Sequence, residues 1–89
     1  MGTAILQIKI MPEQSADLEK LKQEIEEKIK QTGGTLNKIE EKEIAFGLKA
    51  LIVTIAWPEE KETSLIEKAL SEIEGVSSLD VIDYRRAFG

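Results

Sequence analysis

Apolar residues occupy the even positions Ala4, Leu6, Ile8 and Ile10, with polar Gln7 and Lys9 set between them. A period of two puts alternate side chains on opposite faces of an extended chain and predicts a half-buried strand over 4–10. Met11-Pro12 ends it, because proline has no N–H to continue a ladder. The period then lengthens. Leu18, Leu21, Ile25 and Ile29 recur at helical spacing; Ser15 is the expected N-cap, and Asp17 and Glu19 suit the positive end of the helix. Gly33-Gly34 is the expected stop. From Thr35 to Glu43 the run LNKIEEKE is charged and moderately β-prone, which predicts an edge strand, since charges on an edge resist pairing with foreign chains. Leu48 to Trp57 is nearly continuously apolar and rich in Ile and Val, the pattern of a central strand, and Pro58 terminates it. Ser64 and Glu67 have the spacing of a capping box, followed by a helix with Leu65, Ile66, Ala69, Leu70 and Ile73 on its apolar face, closing at Gly75. Residues 76–86, VSSLDVIDYRR, predict a last strand with Leu79 and Val81 on one face and Ile82 and Tyr84 on the other.

The resulting order is β-α-β-β-α-β. It predicts an α+β ferredoxin-like sandwich, an antiparallel sheet with two helices on one face. Right-handed crossovers favour the strand order 4-1-3-2. With 89 residues the chain is expected to be a single domain over 1–89 with no linker, because a divided core would bury too little surface. The uncovered sheet face is left to solvent or to binding, and the fold alone does not choose between them.

Composition narrows the function. Apolar residues make up 42% and charged residues 33% of the chain, a balance suited to a compact domain rather than a disordered segment. The net charge of −5 argues against direct binding of nucleic acid, which calls for clustered cations, and favours a basic protein partner. Cysteine and histidine are both absent, which removes thiol chemistry, imidazole metal ligands and the usual neutral-pH proton shuttle. No metal or cofactor is expected. The amino-terminal stretch alternates and lacks the continuous apolar run of a signal peptide, and no segment approaches the roughly 20 apolar residues that cross a bilayer. A cytoplasmic protein that does not engage membranes is expected.

Specific chemistries are also weak in the pattern. An RNA-recognition module of this topology needs base-stacking aromatics on its inner strands, where only Trp57 stands, at an end. A copper chaperone needs a Cys pair, which the loop MPEQS lacks. The carboxylates of EIEEK, IEEKE and PEEKE have the look of solvated faces rather than an acid–base pair. No phosphate-binding glycine loop is present. The segment IAFGLKALIV, residues 44–53, is more informative. Phe46 admits two readings, a core aromatic at a hairpin end or an exposed aromatic that anchors an interface, with Gly47 supplying a bend or positive φ in either case.

Taken together, IAFGLKALIV and EGVSSLDVIDYRR resemble the elongation factor 1-beta family, in its archaeal form consisting of the guanine nucleotide exchange domain alone. The resemblance runs nearly end to end, from IKIMPE at the end of the opening strand to the closing strand with its basic residues. It implies an exchange factor without covalent chemistry, promoting replacement of GDP by GTP on elongation factor 1-alpha in its GDP-bound or nucleotide-free form, so that this GTPase again binds aminoacyl-tRNA. In eukaryotic relatives the aromatic of a Gly-aromatic-Gly motif inserts into the GTPase and a lysine near the carboxyl terminus reaches toward the Mg²⁺ and nucleotide region. The first role maps to Phe46, preceded here by Ala45, and the second to Arg86, a departure from lysine. The resemblance therefore implies partner-binding roles for Phe46, Gly47, Lys49, Tyr84, Arg85 and Arg86. The alternative is a non-catalytic ferredoxin-like protein-binding module.

Overall fold

The computed structural model describes residues 2–87. Strands β1 (Thr3–Pro12), β2 (Thr35–Glu43), β3 (Lys49–Pro58) and β4 (Val76–Ala87) alternate with helices α1 (Leu18–Thr32) and α2 (Thr63–Ser71), and a short 3₁₀ turn, Ala45–Gly47, joins β2 to β3. The sheet order is β2-β3-β1-β4, the expected order read from the other edge. All three pairings are antiparallel.

Directly opposed residues share a sheet face, so the register decides what can form a core. Ala4, Leu6, Ile8 and Ile10 lie opposite Trp57, Ile55, Val53 and Leu51, and all eight are 0% exposed. Against this apolar sheet pack Leu21, Ile25 and Ile29 from α1 and Ile66, Leu70 and Ile73 beside α2. Each fully buried Leu or Ile contributes roughly 1.5–3 kcal/mol relative to exposure. Trp57 is part of this core and its indole N–H donates to the Lys61 carbonyl at 3.1 Å. It is therefore unavailable for stacking on the open face. That face carries Gln7, whose amide donates to Thr54 Oγ1 at 3.3 Å.

Helix boundaries differ from expectation in ways that local hydrogen bonds explain. Ser15 lies inside a turn closed by Ala16 N–H to the Glu13 carbonyl, which leaves Asp17 as the N-cap, its Oδ1 accepting from Glu19 N–H at 3.1 Å and Lys20 N–H at 3.3 Å. At the other end Gly33 takes φ 100° and Gly34 N–H reaches back to the Ile29 carbonyl, so the double glycine does stop the helix. Helix α2 has Glu62 as its N-cap without a side-chain cap bond. Ser64, expected as the cap, is already inside the helix and donates to Glu62 Oε2. The bond from Trp57 to Lys61 fixes the chain just ahead of this start. Helix α2 ends at Ser71, and Gly75 instead shapes the turn into β4. Leu65 is 52% exposed, because the buried stripe Ile66, Leu70, Ile73 is narrow and Leu65 falls about 100° to one side of it.

Strand β4 contains the main correction to the face assignments. Leu79 and Val81 oppose Ile10 and Ile8, but a register shift follows, after which Asp83 opposes Gln7, Tyr84 opposes Leu6 and Arg86 opposes Ala4. Ile82 is the extra residue of a β-bulge, which resets the alternation. Tyr84 thus returns to the side of Val81, while Ile82 stays on the open face beside Gln7 and Ile52.

Candidate functional site

The β2–β3 connection is built to expose its aromatic residue. Ile44 is extended, its N–H donates to the Leu48 carbonyl at 2.8 Å, and Leu48 N–H donates to the Ala45 carbonyl at 3.3 Å. Within this closed turn Phe46 takes φ 62°, ψ 33° and Gly47 takes φ 74°. A left-handed conformation costs an L-residue about 1–2 kcal/mol, and Phe46 is the non-glycine residue that adopts it among those described. A Cβ added at Gly47 would meet nothing, so its requirement is conformational rather than spatial. Two successive left-handed residues turn the chain sharply and point Phe46 outward. At 98% exposed, Phe46 is not a core residue, and the core reading falls.

Beside the turn lies a groove of about 450 Å³, lined by Met11, Pro12, Gln14, Ala16 and Leu18 across from Phe46 and Leu48. In the sequence Met11, Pro12 and Leu18 were structural positions, and none of these β1–α1 residues was expected at the site. The Met11-Pro12 pair at a strand end was the available signal. At the base of the hairpin Glu41 accepts from Lys22 Nζ at 2.6 Å and from Lys49 Nζ at 3.4 Å. The hydrogen bond from Lys22, with a second from Lys49, holds the Glu41 carboxyl below its ordinary range, and the same bond to Glu41 raises Lys22. Lys49 is therefore engaged within the molecule, although its side chain is 45% exposed.

Tyr84, Arg85 and Arg86 lie at the other end of the sheet. Arg86 opposes Ala4, and Ala4 and Ile10 are separated by about 20 Å of strand at roughly 3.3 Å per residue. The hairpin tip extends beyond the Ile10 end of a molecule whose longest dimension is 42 Å. Arg85 Nε pairs with Asp83 at 3.0 Å and Arg86 Nε with Glu59 at 3.4 Å, yet the two arginine side chains remain 79% and 84% exposed. Tyr84 is 43% exposed. The structure thus groups Phe46, Gly47 and Lys49 at one end and Tyr84, Arg85 and Arg86 at the other, and it does not bring the two sets together.

Among the described residues no cluster of carboxylates is arranged to hold a metal ion, and no helix is long and apolar enough to cross a membrane. What the surface offers is a projecting aromatic at one end and, at the other, two exposed arginines each paired with a carboxylate.

The profile of the EF-1 guanine nucleotide exchange domain matches residues 5–86, which includes both ends. The chain belongs to this family. It is 48% identical over 88 residues to elongation factor 1-beta of Methanothermobacter thermautotrophicus, covering 97% of this chain and 98% of that one. Elongation factor 1-beta of Metallosphaera sedula is 39% identical over 89 residues, covering 97% of each chain, and that of Natronomonas pharaonis is 33% identical over 88 residues, covering 97% and 99%. Family membership makes the chain a guanine nucleotide exchange factor of translation elongation. The fold is also that of an unknown protein from Galdieria sulphuraria, whose crystal structure superposes with a TM-score of 0.54 at 15% identity over 99% of this chain and 46% of that one. At that identity the likeness concerns the fold alone.

Proposed function

We propose that the chain, acting as one exchange domain in the cytoplasm, binds elongation factor 1-alpha in its GDP-bound or nucleotide-free form and accelerates GDP release. The observation that carries this reading is Phe46, fully presented on a strained turn. An apolar side chain held in that way gains by filling a pocket on a partner, and strain of this kind concentrates where function needs a particular presentation. Arg86, with Arg85 and Tyr84 beside it, forms the second contact. The separation of the ends calls for a partner large enough to meet both, as a GTPase is.

No covalent step is needed. By linkage, a factor that binds the nucleotide-free GTPase more tightly than the loaded one weakens nucleotide binding by the same ratio. A cation brought near the nucleotide competes with Mg²⁺ for the negative charge of the phosphates. Arg86 brings that charge on a planar guanidinium, less compact than an ammonium, so its fit there differs from lysine's. The net charge of −5 assists encounter with a cationic surface on a protein that handles nucleotide and tRNA.

Release of a fluorescent GDP from elongation factor 1-alpha, with and without this protein, tests the proposal. Acceleration that disappears in Phe46→Ala supports it. Complex formation without acceleration would replace it with the binding-module reading.

A further inference from the structure

Every residue from Glu41 to Lys49 is exposed, so the outer part of the β2–β3 hairpin has no buried side chain to hold it against the helices. Ile44 and Leu48 are 39% and 38% exposed, and the hydrogen-bonded tie from this segment to a helix is polar. Glu41 opposes Leu51 on β3, which places it on the helix-covered side of the sheet, and its two carboxylate oxygens take different partners. Oε2 accepts from Lys22 of α1 at 2.6 Å, and Oε1 accepts from Lys49, the first residue of β3, at 3.4 Å. One carboxylate thus joins a helix to both strands flanking the Phe46 turn. Among the ion pairs of the described residues, Lys22–Glu41 is the one that links a helix to a strand; the others lie within a helix, within the sheet, or between β4 and the loop after β3.

We propose that Glu41, held by Lys22, is a positioning residue for exchange: it fixes the direction in which the projecting hairpin presents Phe46. This rests on the reading of Phe46 as the partner-binding wedge. The physical case does not depend on the pair's contribution to global stability, which is small for exposed ions. A hairpin that pivots at its base moves its tip through a wide arc, and ordering it only on binding subtracts from affinity. Fixing the base removes that cost beforehand. The lowered Glu41 and raised Lys22 ionisations agree with one another and with the short contact. Lys49 acquires a role inside the molecule, as the second lysine on Glu41, distinct from the direct contact to a partner expected of it.

Glu41→Gln and Lys22→Met, with Lys22→Arg as the conservative control, test this in two measurements. The first is backbone amide hydrogen exchange in the free protein. Faster exchange is expected at Ile44 and Leu48, whose N–H groups close the turn, in Glu41→Gln and Lys22→Met, with Ile8 and Val53 unchanged and Lys22→Arg close to wild type. The second is fluorescent GDP release from elongation factor 1-alpha at increasing concentrations of the factor. The half-saturating concentration is expected to rise about threefold to tenfold with the plateau rate unchanged, the signature of a lost ordering contribution rather than a lost contact in the transition state. Unchanged turn amides and unchanged half-saturation in both disruptive variants would overturn the proposal, and so would failure of Lys22→Arg to restore them. If wild type leaves GDP release unaccelerated while the turn amides respond as expected, the exchange reading falls and the clamp stands as the device that orients Phe46.

Discussion

The two ends of the sheet present their side chains by opposite means. At the hairpin, presentation is built into the backbone: Phe46 and Gly47 both take positive φ, the turn is closed by two hydrogen bonds, and the short aromatic side chain has only two torsions left to set. At the Arg86 end the backbone is an ordinary strand paired with β1, and reach comes from long side chains that remain 79% and 84% exposed while paired with Asp83 and Glu59. The difference follows from the interactions each end offers. A packing contact decays within an ångström and requires a fixed direction. A charge acts over several ångströms and tolerates a mobile arm. On the proposed reading, a backbone-fixed aromatic and a long cationic side chain are complementary solutions on one small scaffold.

Removing the wedge separates the ends most sharply. Phe46→Ala is expected to raise the half-saturating concentration in GDP release about 30-fold, corresponding to the ~2 kcal/mol of an interface anchor, with the melting temperature unchanged because the side chain packs on nothing. A clear fall in melting temperature would show that the ring stabilises the fold after all. Gly47→Val leaves the ring in place but opposes its presentation. A β-branched residue at φ 74° is expected to lose about 1–2 kcal/mol of stability in denaturant unfolding and part of the exchange activity; a neutral outcome would mean that the turn readily adopts another shape.

At the far end, Arg86→Ala is expected to slow the plateau release rate about tenfold, equivalent to ~1.4 kcal/mol, while Arg86→Lys retains the rate. A change in half-saturation that vanishes at high salt, with the plateau intact, would reduce Arg86 to an electrostatic steering residue. The finest test concerns the hairpin base. Glu41 is held below its ordinary value of 4.5 by Lys22 from α1 and Lys49 from β3, so its contribution is present above the ordinary carboxylate range and lost as pH falls through the folded value. Lys22, raised above 10.5 by Glu41 and, more weakly, by Glu19, contributes below that value and loses its contribution as pH rises through the folded one. Between these limits the hairpin should be insensitive to pH. An NMR titration of the Glu41 carboxyl carbon with a midpoint at or above 4.5 would contradict the bridge seen at this site.

Most of the scaffold was legible because it depends on periodicity. The even-numbered apolar residues of β1 and the Leu21, Ile25, Ile29 stripe of α1 are buried as their spacing required. Gly33 stops its helix for the same local reason that made it conspicuous. The misreadings occurred where one hydrogen bond selects between neighbouring caps or one inserted residue shifts a strand's register. The turn closed by Ala16 and Glu13 made Asp17 the cap rather than Ser15, and the bulge at Ile82 moved Tyr84 to the other face. A bulge inserts a residue without altering composition, so alternation read from the sequence passes straight through it. At the candidate site, AFG announced a turn, but the positive φ of Phe46 itself carried no sequence mark. Lys22 and Glu41 were two charges among many, until packing set them 2.6 Å apart.

The order of apolar and polar residues was enough to establish six elements, their sequence and the core faces of β1, β3 and α1, because burial of a regular stripe is a local rule repeated along the chain. The sheet order also needed the handedness of the crossovers, and the faces of β4 came from its bulge. The proposed placement of function depends on distances between segments remote in sequence. Folding put Phe46 on a projecting tip, set a β1–α1 groove beside it, joined its base to a helix through Glu41, and sent Arg86 to the opposite end of β1. Those relations arise from strand register and side-chain packing, in which a residue's neighbours are chosen by the whole fold.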